Sequence, residues 1–581
     1  MVAIRGLYTS AWRGKVNAER LPREPIANLA IGRIIEVDGS HIVAELDRGL
    51  MELSRLFEGE IYPIGQFGSI LRVHFGRRLI YAFVSRLRMK AEYDAERGLS
   101  TTSSADERIV EADLFGEGEW TRESNGAPHL RFERGVTTYP LPQQLVYLTP
   151  KAELRAIYGA TDGKVVIRLG EHVGSGGAPC YAEMNELLGK HTAVLGSTGA
   201  GKSSAVAAII HSVLDRGLDA PHSTWCPRII VLDPHNEYGA AFPSHSRLST
   251  DDGSLSLPYW LLSFQETIAL VVGKTEFVAT SQANIVKKAL LEARLEGCDV
   301  LGLKKAGITV DSPVPYKLAT LRSLIEAEKN LLTASKQDSH NGILQKLEVL
   351  AADARLQFLM ADWNGASSDP FPAVIQNVLG DERQPRVIDL SGVPNEVAGI
   401  SSAAIARSLF NLKVWQTPEE RACDPVLFVC EEAHRYVPNS GEAQYEAAQD
   451  AVRRIAKEGR KYGIGLLLVS QRPSEVEATV LSQCNSWLVL RITNGTDREH
   501  VKSILPDSLS GLTSMLSGLR RQEAIFVGQA AMLPSRIVIR DLLPSQLPRS
   551  NDVDFDQGWQ NVPMTAAQLE DVARRWRYQS R

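Results

Sequence analysis

Long apolar runs are missing from this 581-residue chain. No stretch approaches the ~18 consecutive apolar residues of a membrane-spanning helix. The opening MVAIRGLYTSAWRGK has no apolar core of the kind a secretory signal needs. A cytoplasmic protein without membrane association is therefore expected. Cysteine is scarce: six residues, at 180, 226, 298, 423, 430 and 484, form no CxxC pair and no His/Cys group at zinc spacing. That speaks against a disulfide framework or a structural zinc and for reduced thiols. A surplus of basic charge is absent too, the formal net charge being −5. This argues against a protein that coats nucleic acid through a global positive field. It argues less against a ring, in which each subunit offers one or two cations to a shared channel.

What is present is an ordinary globular composition, 44% hydrophobic and 23% charged. At ~150 residues per domain, two to four domains are expected. Residues 1–160 are strand-rich, with candidates at Ile31–Val37, His41–Leu46, Gly68–His74 and Leu79–Val84. Asp38-Gly39 and Asp162-Gly163 are turn signals, and the first sits between two of these strands as a hairpin would require. Short strands followed by βα units predict a small barrel joined to an α/β domain, with the charged Lys90–Glu107 stretch as a solvated insertion.

The α/β pattern occupies 161–254 and resumes over 382–543. Its strand candidates include His191–Leu195, Ile229–Leu232, Val387–Leu390, Val426–Cys430, Leu466–Val469, Leu488–Ile492 and Ile525–Val527, runs apolar enough for a parallel sheet covered on both faces. Between them, 255–381 reads as a mainly helical insertion. After His191–Leu195 a helix carries Val206, Ile209, Ile210, Val213 and Leu214 on one face, with Gly217 as its stop. The tail, 544–581, ends in a helix starting at Thr565 with Leu569, Val572 and Trp576 on one side. Such a tail docks on its own subunit or braces a neighbour.

The chemistry concentrates in five segments. Gly196-Ser197-Thr198-Gly199-Ala200-Gly201-Lys202-Ser203 matches G-x-x-x-x-G-K-[ST], with Ser204 next in the helix. Glycines let backbone N–H groups curl around phosphate oxygens, and the helix start adds its positive dipole end. Lys202 would neutralise the β- and γ-phosphates of ATP, and Ser203 would ligate Mg²⁺. Pro425–Pro438 is an apolar strand ending in Glu431 and Glu432. Metal-assisted hydrolysis needs one carboxylate on the Mg²⁺ side, here Glu431, and one to orient the attacking water, here Glu432. Leu466–Pro473 ends in Ser470 and Gln471, which suits a sensor between acids and γ-phosphate or, alternatively, a helix cap. Upstream, Arg453, Arg454, Arg460 and Lys461 read as a solvated basic face, or as the source of an arginine finger at Arg460. Arg228–Gly239 ends a further strand with Asp233, Asn236 and Glu237, either turn formers or neighbours of the pocket.

LGSTGAGKSS, LDPHNEYG, FVCEEAHRYVP, EGRKYGIGLLLVSQRP and the late QEAIFVG together resemble the HerA ATPases of the FtsK/HerA branch, over nearly the whole chain. The resemblance implies a RecA-like core, an N-terminal HAS-type β-barrel, and a homo-hexamer that moves on double-stranded DNA. It makes Arg460 a trans-acting finger. It also points to Lys190, in Lys190-His191, as a nucleotide-contacting cation where the family commonly has arginine; lysine offers a point charge instead of a planar fork. HerA relatives work with a partner: the nuclease NurA in DNA end resection, or a sirtuin-like NADase or nuclease in anti-phage defence. No second active site is visible in this chain, so such chemistry would lie in another protein, docked through the barrel. A nucleotide-gated scaffold for an effector is the rival reading. A conjugation-type coupling ATPase fits less well without a membrane span, and a nucleotide kinase less again.

Overall fold

The computed structural model describes residues 24–50, 53–66, 68–98, 107–122, 127–159, 164–173, 177–219, 225–243, 247–272, 276–380, 385–439, 446–505, 513–549, 553–561 and 564–578. Gly163 of the second turn signal lies outside them. The chain forms two compact units. One runs to Asp162 and includes His172–Cys180 and Pro506–Met515; the other holds Gly163–Glu171, Tyr181–Leu505 and Leu516–Arg581.

Among its described residues the first unit carries the strands β1 (Ala30–Asp38), β2 (His41–Leu46), β3 (Ser54–Phe57), β4 (Glu60–Pro63), β5 (Ile70–Phe75), β6 (Arg78–Met89), β7 (Arg108–Arg122), β8 (Pro128–Arg134) and β9 (Leu145–Leu148). Six of them close into a barrel in the order β1-β2-β7-β6-β5-β9, with β8 added on β7 and β3-β4 a separate hairpin. Alternation along the strands turns Ile31, Ile42, Leu71, Val73, Ile80, Val110 and Val146 into one buried core. Asp38 pairs with His41 across a two-residue turn that needs Gly39 at φ +57°. Gly32 is required for a different reason: a Cβ there would lie 2.0 Å from the carbonyl oxygen of Glu45 on the paired strand. The charged insertion after β6 begins with a helix, Lys90–Glu96.

The second unit is built on an 11-stranded sheet. Its strands are β10 (Val166–His172), β11 (Pro179–Glu183), β12 (Thr192–Leu195), β13 (Arg228–Asp233), β14 (Arg247–Ser249), β15 (Arg386–Asp389), β16 (Val426–Cys430), β17 (Ile464–Ser470), β18 (Ser486–Leu490), β19 (Glu523–Gly528) and β20 (Ser535–Ile539). The order is β11-β10-β20-β19-β18-β12-β17-β16-β13-β15-β14. From β18 to β14 neighbouring strands are parallel. β19 departs from the expected parallel sheet, pairing antiparallel with both β18 and β20. A strand buried on both faces is apolar whichever way it runs, so its composition carries no direction.

The helix after β12, Lys202–Asp219, buries Val206, Ile209, Ile210 and Val213. It does not stop at Gly217. A Cβ at that position would come 2.7 Å from the Trp225 ring, so the glycine serves a close approach within the helix. Between β14 and β15 the structure is helical, the main elements being Phe264–Val271, Glu276–Leu301, Leu318–Asn330, Asp338–Ala352 and Phe371–Leu379. A capping box between Ser263 and Glu266 starts the first of these. Near the C-terminus, the helix Ala566–Tyr578 leaves Leu569 and Trp576 exposed. Among the described residues, no helix is long and apolar enough to cross a membrane.

Candidate functional site

β12 delivers Gly196–Ser203 to the C-terminal edge of the parallel sheet, where such sheets bind ligands. The loop turns on Gly199 at φ +74° and Gly201 at φ +101°, conformations that a side chain resists. It is braced from outside. The Ser197 amide donates to the Arg491 carbonyl at 2.9 Å, and the Gly196 amide donates to that of Ser470 at 3.2 Å. The Thr493 amide donates to Ser197 Oγ at 3.1 Å, and the Gln522 amide to the Ala200 carbonyl at 3.1 Å. Lys202 is buried, its Nζ 3.4 Å from the Ser197 carbonyl oxygen, and burial lowers its pKa against the opposing pull of Glu431 and Glu432. Ser203 and Ser204 stand in the first turn of the helix.

β17 lies between β12 and β16 and registers Ser470 beside Leu195. Its end therefore separates the phosphate loop from the glutamate pair at the end of β16. Gln471 Oε1 accepts a 2.7 Å hydrogen bond from Thr198 Oγ1, linking that strand end to the loop. Glu431 is 3% exposed, and burial raises its pKa well above the usual carboxylate range, with Glu432 adding to the effect. Glu432 adopts a left-handed backbone, φ +55°, a strain of about 1–3 kcal/mol of the kind held at functional sites. Its carboxylate is 3.2 Å from His434 Nδ1, yet Oε2 is buried without a hydrogen bond. Burial raises its pKa as well, offset in part by Lys202 and Arg435.

β13 is two strands removed from β12, so its closing polar residues were not bound to reach the loop. They do reach it. Asp233 is buried and accepts from the amides of His235, Glu237 and Tyr238 at 3.2, 3.1 and 2.9 Å. That turn, with Asn236 at φ +55°, sends two neighbouring side chains to two places. Glu237 accepts a hydrogen bond from the Ser203 hydroxyl, and Tyr238 donates one to Glu431 Oε2 at 2.9 Å. Tyr238, His434, Thr493 and Gln522 were not singled out from the sequence. Tyr238, His434 and Gln522 lie inside motifs that drew attention, and no spacing rule gives their partners.

Arg460 and Lys190 are not brought to this cluster. Parallel strands place all their N-terminal ends on one edge, and both residues precede such ends. Arg460 lies four residues before β17, in the turn Gly459–Tyr462, and is exposed. Its charge helps burial lower the pKa of the neighbouring His191 to about 4, while His191 Nδ1 accepts from the Leu466 amide at 3.0 Å. Lys190 Nζ is 2.5 Å from Glu186 and 3.1 Å from Gln529. Lys190 thus stands at the far end of β12 from Gly196, with five residues between them, roughly 20 Å when extended.

The phosphate loop, the buried acids and the polar strand end together form a nucleotide-hydrolysing arrangement. Residues 167–409 match the family described as the central domain of helicase HerA. The DNA double-strand break repair helicase HerA of Pyrococcus furiosus is 27% identical over 439 residues, covering 68% of this chain and 72% of that one. Its counterpart from Sulfolobus acidocaldarius is 25% identical, over 75% of this chain and 80% of that one. Among solved structures, VirB4 of Thermoanaerobacter pseudethanolicus aligns at a TM-score of 0.45 and 19% identity, covering 66% of this chain and 98% of that one. This chain is an ATP-hydrolysing P-loop enzyme, and its residues 167–409 match the HerA central domain.

Proposed function

We propose that the chain is the subunit of a homo-hexameric motor that hydrolyses Mg²⁺–ATP to move along double-stranded DNA. The observation that carries the reading is the placement of Arg460. It is an exposed cation at the sheet edge opposite the phosphate loop, and the seven residues of β17 between them span roughly 20 Å. An arginine finger so placed acts on the nucleotide of a neighbouring subunit, stabilising charge on the transferring phosphoryl group. Lys190 shares that edge and would face the same neighbour. The exposed Leu569 and Trp576 of the tail helix offer a brace to an adjacent subunit.

The site fits its ligands. The backbone cradle and buried Lys202 suit a triphosphate, and Ser203 with Glu431 suits an Mg²⁺ that keeps most of its water. When bound, the metal would neutralise charge on the β- and γ-phosphates. Glu432, with a free buried oxygen, would orient the attacking water, and Gln471 would read the γ-phosphate. The relatives' description as DNA double-strand break repair helicases supports duplex DNA as the track. We assign any nuclease or NAD-consuming step, in repair or in anti-phage defence, to a partner chain. The net charge of −5 favours the rival, a scaffold that clusters an effector.

A subunit-mixing experiment tests the shared site. Lys202→Ala retains the finger and Arg460→Ala retains the loop; each alone should be inactive. Mixing the two should restore part of the ATPase, because some interfaces regain both halves. Arg460→Ala retaining normal turnover, or mixtures staying inactive after exchange, would refute the trans arrangement.

A further inference from the structure

We propose that Glu237 is a positioning residue for the metal-bound nucleotide, acting through the Ser203 hydroxyl. The inference deepens the Mg²⁺ reading above and rests on it. A serine hydroxyl has one proton and two lone pairs. To ligate a cation it must present a lone pair, so its proton needs an acceptor pointing the other way. Glu431, the acid at the end of β16, does not fill that role. Its Oε2 takes the Tyr238 hydroxyl, and the Ser203 proton goes to Glu237.

The arrangement is held from several directions. Asp233 fixes the amides of Glu237 and Tyr238, and the Glu237 carbonyl oxygen accepts from the Arg549 amide at 3.0 Å. Lys202 feels the charges of Glu431, Glu432 and Glu237 together, so Glu237 belongs to the electrostatic surroundings of the phosphate-binding lysine. The loop after β13 therefore does two jobs with consecutive residues. Tyr238 orients the carboxylate that would face the metal's water, and Glu237 orients the hydroxyl that would ligate the metal. Without Glu237 the Ser203 proton is free to rotate toward the cation, which weakens the metal contact and leaves the phosphate cradle intact.

The test separates metal from phosphate. Affinity of the full-length protein for a slowly hydrolysed fluorescent ATP analogue is measured with Mg²⁺ and with EDTA, and the ratio gives the gain due to metal. Glu237→Ala should cut that gain by about tenfold or more, with affinity in EDTA within about twofold of wild type. Glu237→Gln, which keeps an acceptor oxygen, should retain most of the gain. Three results would overturn the proposal: an unchanged gain, an equal loss with and without Mg²⁺, or a larger gain, which would make Glu237 a latch on Ser203. If Glu237→Ala fails to fold by thermal unfolding, Glu237→Gln and Glu237→Asp are read instead; the shorter acid should lose the gain that Gln retains, and equal behaviour of the two would overturn the proposal. A wild-type protein whose analogue affinity is indifferent to Mg²⁺ would refute the underlying metal reading instead.

Discussion

At the scale of single residues, the site is defined by charges held out of water. Lys202, Glu431 and Glu432 are all buried, and each is pushed toward its neutral form by that burial. The proposed hydrolysis needs the opposite: a charged lysine and an ionised Glu432. The signs follow. As pH falls, activity is lost when the glutamate pair takes up a proton, at a pH above the ordinary glutamate value of 4.5. As pH rises, activity is lost when Lys202 gives up its proton, at a pH below the ordinary 10.5. The pH profile of kcat/KM should be a bell narrowed from both sides, and an acid limb at or below 4.5 would contradict the burial argument. Glu432→Gln should still bind ATP while kcat falls about 100-fold or more, read by equilibrium binding beside steady-state turnover. Turnover at the wild-type rate would remove Glu432 from its assigned role.

At the scale of elements, the loop after β13 joins parts of the site that sequence distance separates. Tyr238→Phe removes the donor to a buried carboxylate and should cost about 1–3 kcal/mol of stability in urea unfolding, with a several-fold loss of turnover. Much of the site was legible beforehand because its motifs are local. The phosphate loop needs strand, glycines and helix in one short run, and the Glu431–Glu432 pair needs only an apolar strand before it. Glu237 was visible as a polar residue ending a strand, but its partner Ser203 was not, because strand order is a long-range property. The same limit explains Lys190. The family resemblance pointed to it as a nucleotide-contacting cation, whereas strand direction puts it on the edge away from its own phosphate loop. It also explains β19, whose apolar run says that it is buried and not which way it runs. Gly217 misled for a related reason, since a glycine that admits Trp225 looks the same in sequence as one that ends a helix.

At the scale of the whole molecule, a closed barrel and a large ATPase sheet form separate compact units. The barrel has its own buried anchor. Arg72 on β5 bonds Glu153 of the helix Lys151–Gly159 at 2.6 Å, and Glu153 also accepts from the Tyr81 hydroxyl at 2.8 Å. Both partners of the ion pair are almost wholly buried, so Arg72→Met strands a carboxylate and should cost about 3–5 kcal/mol, read as a lowered unfolding temperature. For the assembly, the decisive question is whether ATP turnover is coupled to DNA. The most direct measurement is steady-state ATP hydrolysis by the purified protein with and without linear duplex DNA across a salt titration. Contacts to phosphates release counterions, so the motor account predicts strong stimulation that fades steeply as salt rises. Turnover indifferent to DNA at every salt concentration, yet altered by a partner protein, would contradict it and favour the scaffold reading.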